Sequence, residues 1–385
     1  MKDWPSVALG DIFEIARGGS PRPIQNFLTE EPDGVNWVMI GDASDSSKYI
    51  THTKKRILKT GVKNSRMVYP GDFLLTNSMS FGHPYIMKTS GCIHDGWLVL
   101  SNKKGVIDQD YFYHLLGSDL IYAEFSRLAS GSTVKNLNIE IVKGIKVSLP
   151  PLEEQRRIAA ILDKADGVRR KRKEGIRLTE ELLKSTFLEM FGDPVTNPKG
   201  WEIGKVIDYA DCIVPGRDKP KSFTGDIPWV TTTDLNHLGY TYKSRLNIGL
   251  TIDEIKQVNA RIIPKDSVLL TCAGDLGVTS IAGCNMVVNQ QLHSFQCNEI
   301  DNHFLMHVIT YQKNFMHQRA TQTTVSYMNK TACNSIPVIY PPLELQRKFG
   351  GFCRKFSAST SQFDSLEQSE NLFNSLLQRA FRGEL

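Results

Sequence analysis

PPLEEQRRIAAILDK occupies residues 150–164 and PPLELQRKFGGFCRK occupies residues 341–355, 191 residues further on. Both run from a proline pair into glutamate, glutamine, arginine and then apolar residues at helical spacing. Proline suits a helix start and blocks an earlier one, so each stretch predicts the opening of a helix. In the second, Phe349, Phe352, Phe356, Ser359, Phe363, Leu366, Phe373, Leu377 and Ala380 alternate by three and four. That is a coiled-coil seam. In the first, Ile158, Ile161, Ala165, Val168, Thr179, Leu182 and Thr186 do the same, with Leu183 and Phe187 widening the stripe. Arg172 interrupts it, and Gly167 and Gly175 weaken the helix locally.

The repeat extends outward from these anchors. Trp4 has its counterpart in Trp201, Val35-Asn-Trp-Val in Ile227-Pro-Trp-Val, and Asp42 in Asp234. Pro70-Gly-Asp-Phe-Leu-Leu-Thr matches Pro264-Lys-Asp-Ser-Val-Leu-Leu-Thr. Gly131-Ser-Thr-Val matches Gln322-Thr-Thr-Val, and Gly144-Ile-Lys-Val matches Ser335-Ile-Pro-Val. The offset stays between 191 and 197, so the chain holds two copies of one unit, diverged between the anchors. Each copy predicts short strands: Val35–Ile40, Phe73–Thr76, Trp97–Leu100 and Ile145–Leu149, then Trp229–Thr233, Val268–Cys272 and Val338–Tyr340. Helical patches are expected at Asp110–Ser126 and Asp301–Gln318. The fold class is α+β or β-rich in each copy, with a long helix closing it.

A helix of ~35–40 residues spans ~55–60 Å and cannot bury an apolar stripe alone. The two closing helices are therefore expected to pack antiparallel, forming a spacer with a globular head near each end. Two related, non-identical heads suit an asymmetric, bipartite sequence on duplex DNA.

The bulk numbers permit this. The chain has 385 residues, too many for one core, and a net charge of +5. Basic segments stand at Lys54-Lys55-Arg56, at Arg169–Lys173, and at Arg217, Lys219 and Lys221. The run at 169–173 reads either as a solvated or partner-facing helix surface or as a phosphate contact. The seven cysteines are scattered with no CxxC, so a reducing cytoplasm and no zinc site are expected. Neither a secretory signal nor a membrane span is expected.

No motif points to catalysis. The Pro-Pro pairs lie in Leu149-Pro-Pro-Leu and Tyr340-Pro-Pro-Leu, without the polar and aromatic neighbours an amino-methyltransferase needs. There is no GxGxxG and no GxxxxGK[ST]. Asp266 and Asp275 could imitate a nuclease site, but Asp266 sits in the turn phrase shared by both copies. His83, His94, His293 and His303 have no metal spacing. Candidate DNA-reading residues are hydrogen-bonding side chains in the diverged loops. In the first copy these are Arg17, Arg22, Ser78, Ser80 and His83; in the second, Arg217, Lys219, Lys221, Thr232 and Gln290.

PPLEEQRRIAAILDKAD, Leu182–Trp201 and the ending SLLQRAFRGEL resemble the specificity (DNA-recognition) subunit of type I restriction-modification systems. Asn36-Trp-Val-Met-Ile-Gly-Asp, Ser78-Met-Ser-Phe-Gly-His-Pro-Tyr, Gly225–Leu235 and Asn289-Gln-Gln-Leu resemble phrases of its target recognition domains. The resemblance implies recognition domains at 1–150 and 194–341 and spacer helices at 151–193 and 342–385. It implies double-stranded DNA, two methyltransferase subunits and restriction (translocase and nuclease) subunits as partners, with no membrane. It implies a non-catalytic chain without its own cofactor; S-adenosylmethionine, ATP and Mg would serve the partners. The second helix departs from the pattern: Gly350-Gly351 replaces Ala159-Ala160, and FCRKFSAS replaces ILDKAD. A two-headed scaffold for protein or glycan, or a DNA enzyme with a cryptic site, are the alternatives.

Overall fold

The computed structural model describes residues 4–43, 48–77, 81–102, 105–129, 137–216, 218–321, 326–359 and 362–385. The chain divides into two compact units. The first comprises residues 1–174 and 364–385, the second residues 175–363.

The first unit is built on a five-stranded mixed sheet. Its order is Phe13–Arg17, Trp97–Asn102, Phe73–Thr76, Pro84–Met87 and Tyr49–Ile50. Only the last pairing is parallel; the other three are antiparallel. Phe73–Thr76 is buried on both faces, which explains its unbroken apolar run. A second sheet follows the order Leu28–Thr29, Lys55–Ile57, Val35–Val38, Gly91–Ile93, Arg66–Val68. A ribbon of Ser6–Ala8 with Lys146–Ser148 closes the unit.

The second unit repeats this topology. Its five-stranded sheet runs Ala210–Ile213, Leu292–Cys297, Val268–Thr271, Thr279–Ala282 and Tyr240–Thr241, again with only the last pair parallel. Its smaller sheet is Gly249–Leu250, Ile227–Val230, Val287–Val288. The edge strand Arg66–Val68 survives here as a single bridge, Ile263 to Met286. The ribbon is Glu202–Lys205 with Pro337–Tyr340. The fold is α+β and internally duplicated, as the repeat predicts.

Several details differ from expectation. Each helical patch is two helices: Gln109–Leu116 and Asp119–Leu128, then Asn302–Tyr311 and Lys313–Arg319. Ser118 caps the second member of the first pair by accepting from the Ile121 amide. The strand expected at Trp229–Thr233 stops at Val230, where Asp234 gathers the chain into a 3₁₀ turn. The matched turns are also offset by one residue. Asp72 N–H donates to the Tyr69 carbonyl and Ser267 N–H to the Pro264 carbonyl. Gly71 and Asp266 therefore share the left-handed position, at φ 101° and 68°. Asp266 is a turn residue. The phrases at 131–134 and 322–325 lie outside the described residues.

The first long helix is Leu152–Phe191, forty residues. The second helical segment is seen as Leu343–Ser359 and Gln362–Phe381. Within the first unit the long helix and the C-terminal helix run in opposite senses. Arg157 donates to the Leu385 carbonyl at 2.8 Å, and the Arg169 guanidinium lies 4.7 Å over the Phe373 ring. Within the second unit Phe187 and Phe191 meet Phe349 edge-on at 5.4 and 5.7 Å.

The buried face follows the expected seam only in part: Ile158, Phe187, Phe349, Phe373 and Ala380 are buried as expected. Val168 and Leu182 are 44% and 43% exposed. Gln155, Ala159, Leu162, Asp166 and Phe191, which lie outside the expected stripe, are buried as well. The head of each unit sets this face, because its core takes in Ile158 and Leu162 in one case and Phe187 and Phe191 in the other. The side chains of Ser359, Phe363 and Leu366 lie outside the described residues.

Candidate nucleic-acid interface

In the first unit, a tight turn, His94-Asp95-Gly96, joins Gly91–Ile93 of the second sheet to Trp97–Asn102 of the five-stranded sheet. Trp97 N–H closes it onto the His94 carbonyl. Loop 17–22 lies against this turn. The approach is close enough that a Cβ on Gly18 would collide with the His94 carbonyl. Three groups fix Asp95. Asn77 Nδ2 and Arg17 Nε donate to its carbonyl at 2.8 and 3.1 Å, and Ser20 Oγ donates to its Oδ1 at 2.8 Å. Arg22 reaches its Oδ2 at 3.7 Å and is 83% exposed. The Ser20 hydrogen bond holds the Asp95 carboxyl below its ordinary range. Burial pushes His94 down, outweighing the neighbouring Asp95 charge.

Arg17 and Arg22 thus converge. His83, exposed, lies elsewhere: it lines a cavity of about 500 Å³ with Arg169, Arg170, Tyr113 and Phe373. Ser78 and Ser80 lie outside the described residues.

In the second unit the equivalent turn is Asn289-Gln290-Gln291, closed by Leu292 N–H on the Asn289 carbonyl. Gln290 is half-buried within it. Asn289 N–H donates to the Val230 carbonyl, placing the turn beside Thr231 and Thr232. Lys219 and Lys221 are exposed on the preceding irregular segment. Glu254 anchors that segment, accepting from Thr224 N–H and Oγ1 at 3.1–3.3 Å and from Thr251 N–H at 2.8 Å. Hydrogen bonds from Ser222, Thr251 and Thr224 hold its carboxyl down to about 2. Arg217 lies outside the described residues.

Other expected contacts are engaged within the chain. Arg169 and Arg170 both pair with the buried Asp166 at 2.6 Å, and Arg170 also donates to Tyr113 Oη. Those two members of the basic helix run are therefore partly spent on the protein. Asp42 and Asp234 are structural as well. Each caps its own turn and then accepts a distant amide, that of Lys54 at 3.0 Å or Arg245 at 2.8 Å.

The ILDKAD phrase also acts on its own head. Asp163 accepts from His114 and Lys48 at 2.8 and 2.9 Å, and Lys48 reaches Asp110 at 2.6 Å. Burial alone would raise Asp163; these partners hold it down to about 2. The second unit replaces this pairing with His307 beside Cys353 Sγ at 3.8 Å, under the stacked Phe187 ring. A Cβ on Gly350 would sit on the Asp301 carboxylate, which explains the glycine that replaces Ala159.

Among the described residues no three His, Cys, Asp or Glu side chains converge as a metal site, and no helix is long and apolar enough to cross a membrane. Sequence reasoning missed Ser20, Asn77, Asp95 and Glu254. Asp95 is outside the donor-bearing residue types sought, and Glu254 acts 30 residues from Thr224.

A family model described as type I restriction modification DNA specificity domain matches residues 1–178 and 198–370. The MjaIX type I restriction enzyme specificity subunit of Methanocaldococcus jannaschii is 26% identical over 226 residues. That match covers 54% of this chain and 51% of the relative, so the chain spans about half the length of that protein in the match. The sequence named for the MjaX specificity subunit of the same organism is 24% identical over 365 residues, covering 90% and 85%. A crystal structure of the type I restriction-modification S subunit from M. genitalium shares the fold. It has a TM-score of 0.65 and 15% identity, and the match covers 98% of this chain and 96% of that one.

Proposed function

Because the chain belongs to the type I restriction-modification DNA specificity family, we propose that it is the sequence-specific DNA-binding subunit of such a system, reading an asymmetric, bipartite target with one half-site per unit. The observation that carries this is the duplicated topology with different side chains on the equivalent turn, His94-Asp95-Gly96 in one unit and Asn289-Gln290-Gln291 in the other. One scaffold bearing two different hydrogen-bonding edges suits two different half-sites. Arg17, Arg22 and His83, with Ser78 and Ser80, are the proposed DNA contacts of the first unit. Lys219, Lys221, Thr232 and Gln290, with Arg217, are those of the second.

The exposed apolar residues Val168, Leu178, Leu182 and Leu372 on the helices support docking of two methyltransferase subunits, with restriction subunits joining that assembly. In this reading the chain is non-catalytic and cytoplasmic, and the partners use S-adenosylmethionine, ATP and Mg.

The test is co-expression with the neighbouring methyltransferase gene and mapping of N6-methyladenine, against a control lacking this chain. A bipartite motif with a fixed gap is expected only when the chain is present. No new methylation from a soluble complex with an active methyltransferase would overturn the proposal. DNA binding should fall ~10³–10⁵-fold between 50 and 200 mM salt if 6–10 phosphates are contacted; salt-insensitive binding would count against it.

A further inference from the structure

We propose that Asp95 is a specificity-determining residue of the first unit, accepting a hydrogen bond from an exocyclic amino group on a DNA base edge. This rests on the DNA-specificity reading above.

Asp95 is fixed before any ligand arrives. Its backbone carbonyl takes Asn77 Nδ2 and Arg17 Nε, and its Oδ1 takes Ser20 Oγ. Oδ2 is left with the exposed Arg22 guanidinium at 3.7 Å, and the side chain is 46% exposed. One carboxylate oxygen is thus clamped by Ser20, and the other is presented beside the exposed Arg22 guanidinium. A carboxylate beside a polyanion repels every phosphate. The base-edge groups that reward it are amino donors, N4 of cytosine and N6 of adenine. Arg17 at the Asp95 carbonyl and Arg22 beside Oδ2 put positive charge next to the carboxylate, which offsets that repulsion.

The duplication supplies the second argument. Asn77 N–H donates to the Gly96 carbonyl, and Cys272 N–H donates to the Gln291 carbonyl. Trp97 N–H closes on His94, and Leu292 N–H closes on Asn289. These hydrogen bonds superpose Asp95 on Gln290 in the repeat. The same turn position therefore bears an acceptor-only carboxylate in one unit and a donor-and-acceptor carboxamide in the other. A carboxylate selects an amino group; a carboxamide pairs with adenine N6 and N7. Different side chains on one backbone position are what two half-sites of different sequence require.

Asp95→Asn tests this in the complete methyltransferase complex. Asparagine retains an acceptor for Ser20 but can turn an NH₂ toward the base. In co-expressed cells, mapped N6-methyladenine should show one position of one half-site relaxing, or moving from C or A toward the keto bases G or T. The other half and the gap should stay unchanged. Which base is lost distinguishes cytosine from adenine. The purified complex should lose ~5- to 150-fold in discrimination at that one position. Ser20→Ala releases the clamp but keeps the carboxylate, so it should lower thermal stability and keep the same base.

An unaltered motif in Asp95→Asn would overturn the proposal, as would an altered motif that Ser20→Ala reproduces base for base. If Asp95→Asn methylates nothing, binding to duplexes substituted at each half-site position decides. A changed preference at one position supports the proposal, and uniform weakening overturns it. If the wild-type chain itself directs no methylation, the DNA-specificity reading is what has failed.

Discussion

Gln155 Oε1 accepts the backbone N–H of Asp108 at 2.7 Å, and Gln346 Oε1 accepts that of Asp301 at 3.1 Å. Each amide nitrogen turns back to a proline carbonyl, Pro150 at 2.9 Å and Pro341 at 2.8 Å. Both glutamines are fully buried. Asp108 and Asp301 in turn cap the head helices Gln109–Leu116 and Asn302–Tyr311. The glutamine common to both PPLE stretches therefore fastens each long helix to the start of a head helix.

Replacing either glutamine by alanine strands a buried amide and a buried carbonyl. Each stranded group costs about 1–3 kcal/mol. Gln155→Ala and Gln346→Ala should each lower the melting temperature in calorimetry. An unchanged transition would show that water replaces the clasp at no cost.

The Gly350-Gly351 pair separates two effects. Gly350→Ala drives a methyl group into the Asp301 carboxylate and should destabilise by about 1–3 kcal/mol. Gly351 faces open space, so Gly351→Ala should be neutral or stabilising. Equal destabilisation by both in urea titrations would contradict the packing described.

Gly167 and Gly175 also face open space within the long helix. Alanine at each should stabilise the chain by about 0.5–1 kcal/mol through helix propensity and a less disordered unfolded state. A loss of stability would mean the glycines serve the fold in some other way.

Acid should weaken the second unit in particular. Burial pushes His293 and His303 down to about 4 and His307 down to about 3. Unfolded histidine takes up a proton near pH 6.5, so the unfolded chain binds more protons between 6.5 and these values. Stability is full above about pH 6.5 and is lost as pH falls, by ~2 kcal/mol per histidine at pH 5. Urea midpoints at pH 7.5 and 5.0 check this, with His307→Phe expected to remove part of the difference. Identical midpoints for the wild-type chain would refute it.

The duplication was legible because anchors such as Trp37 and Trp229, or Pro150 and Pro341, keep a near-constant offset. Phe73–Thr76 was legible because a strand buried on both faces writes an unbroken apolar run. Partners far apart in sequence were not legible. Gln155 is visible in its motif, but the Asp108 amide is 47 residues away. Arg169 and Arg170 read as a basic run, while Asp166 on the same helix claims both. Helical periodicity located the stripe on the long helix but not which parts of it a head would cover, so Val168 and Leu182 were misplaced. In the candidate interface Arg17 and Arg22 stand out as hydrogen-bonding donors in a diverged loop. Asp95, which brings them together, is an acceptor-only carboxylate whose role shows only in its contacts with Arg17, Ser20, Arg22 and Asn77.

The first unit draws residues from both ends of the chain, with Phe373 and Ala380 inside the core that also holds Leu9 and Phe13. The second is one continuous stretch. On the ribosome, which delivers the chain from its N-terminus, the second unit has all its residues before the first does. The head that is translated first waits for the last helix to emerge before its core can close. Loss of residues 364–385 would therefore damage the head built on residues 1–174 and leave the one at 175–363 whole.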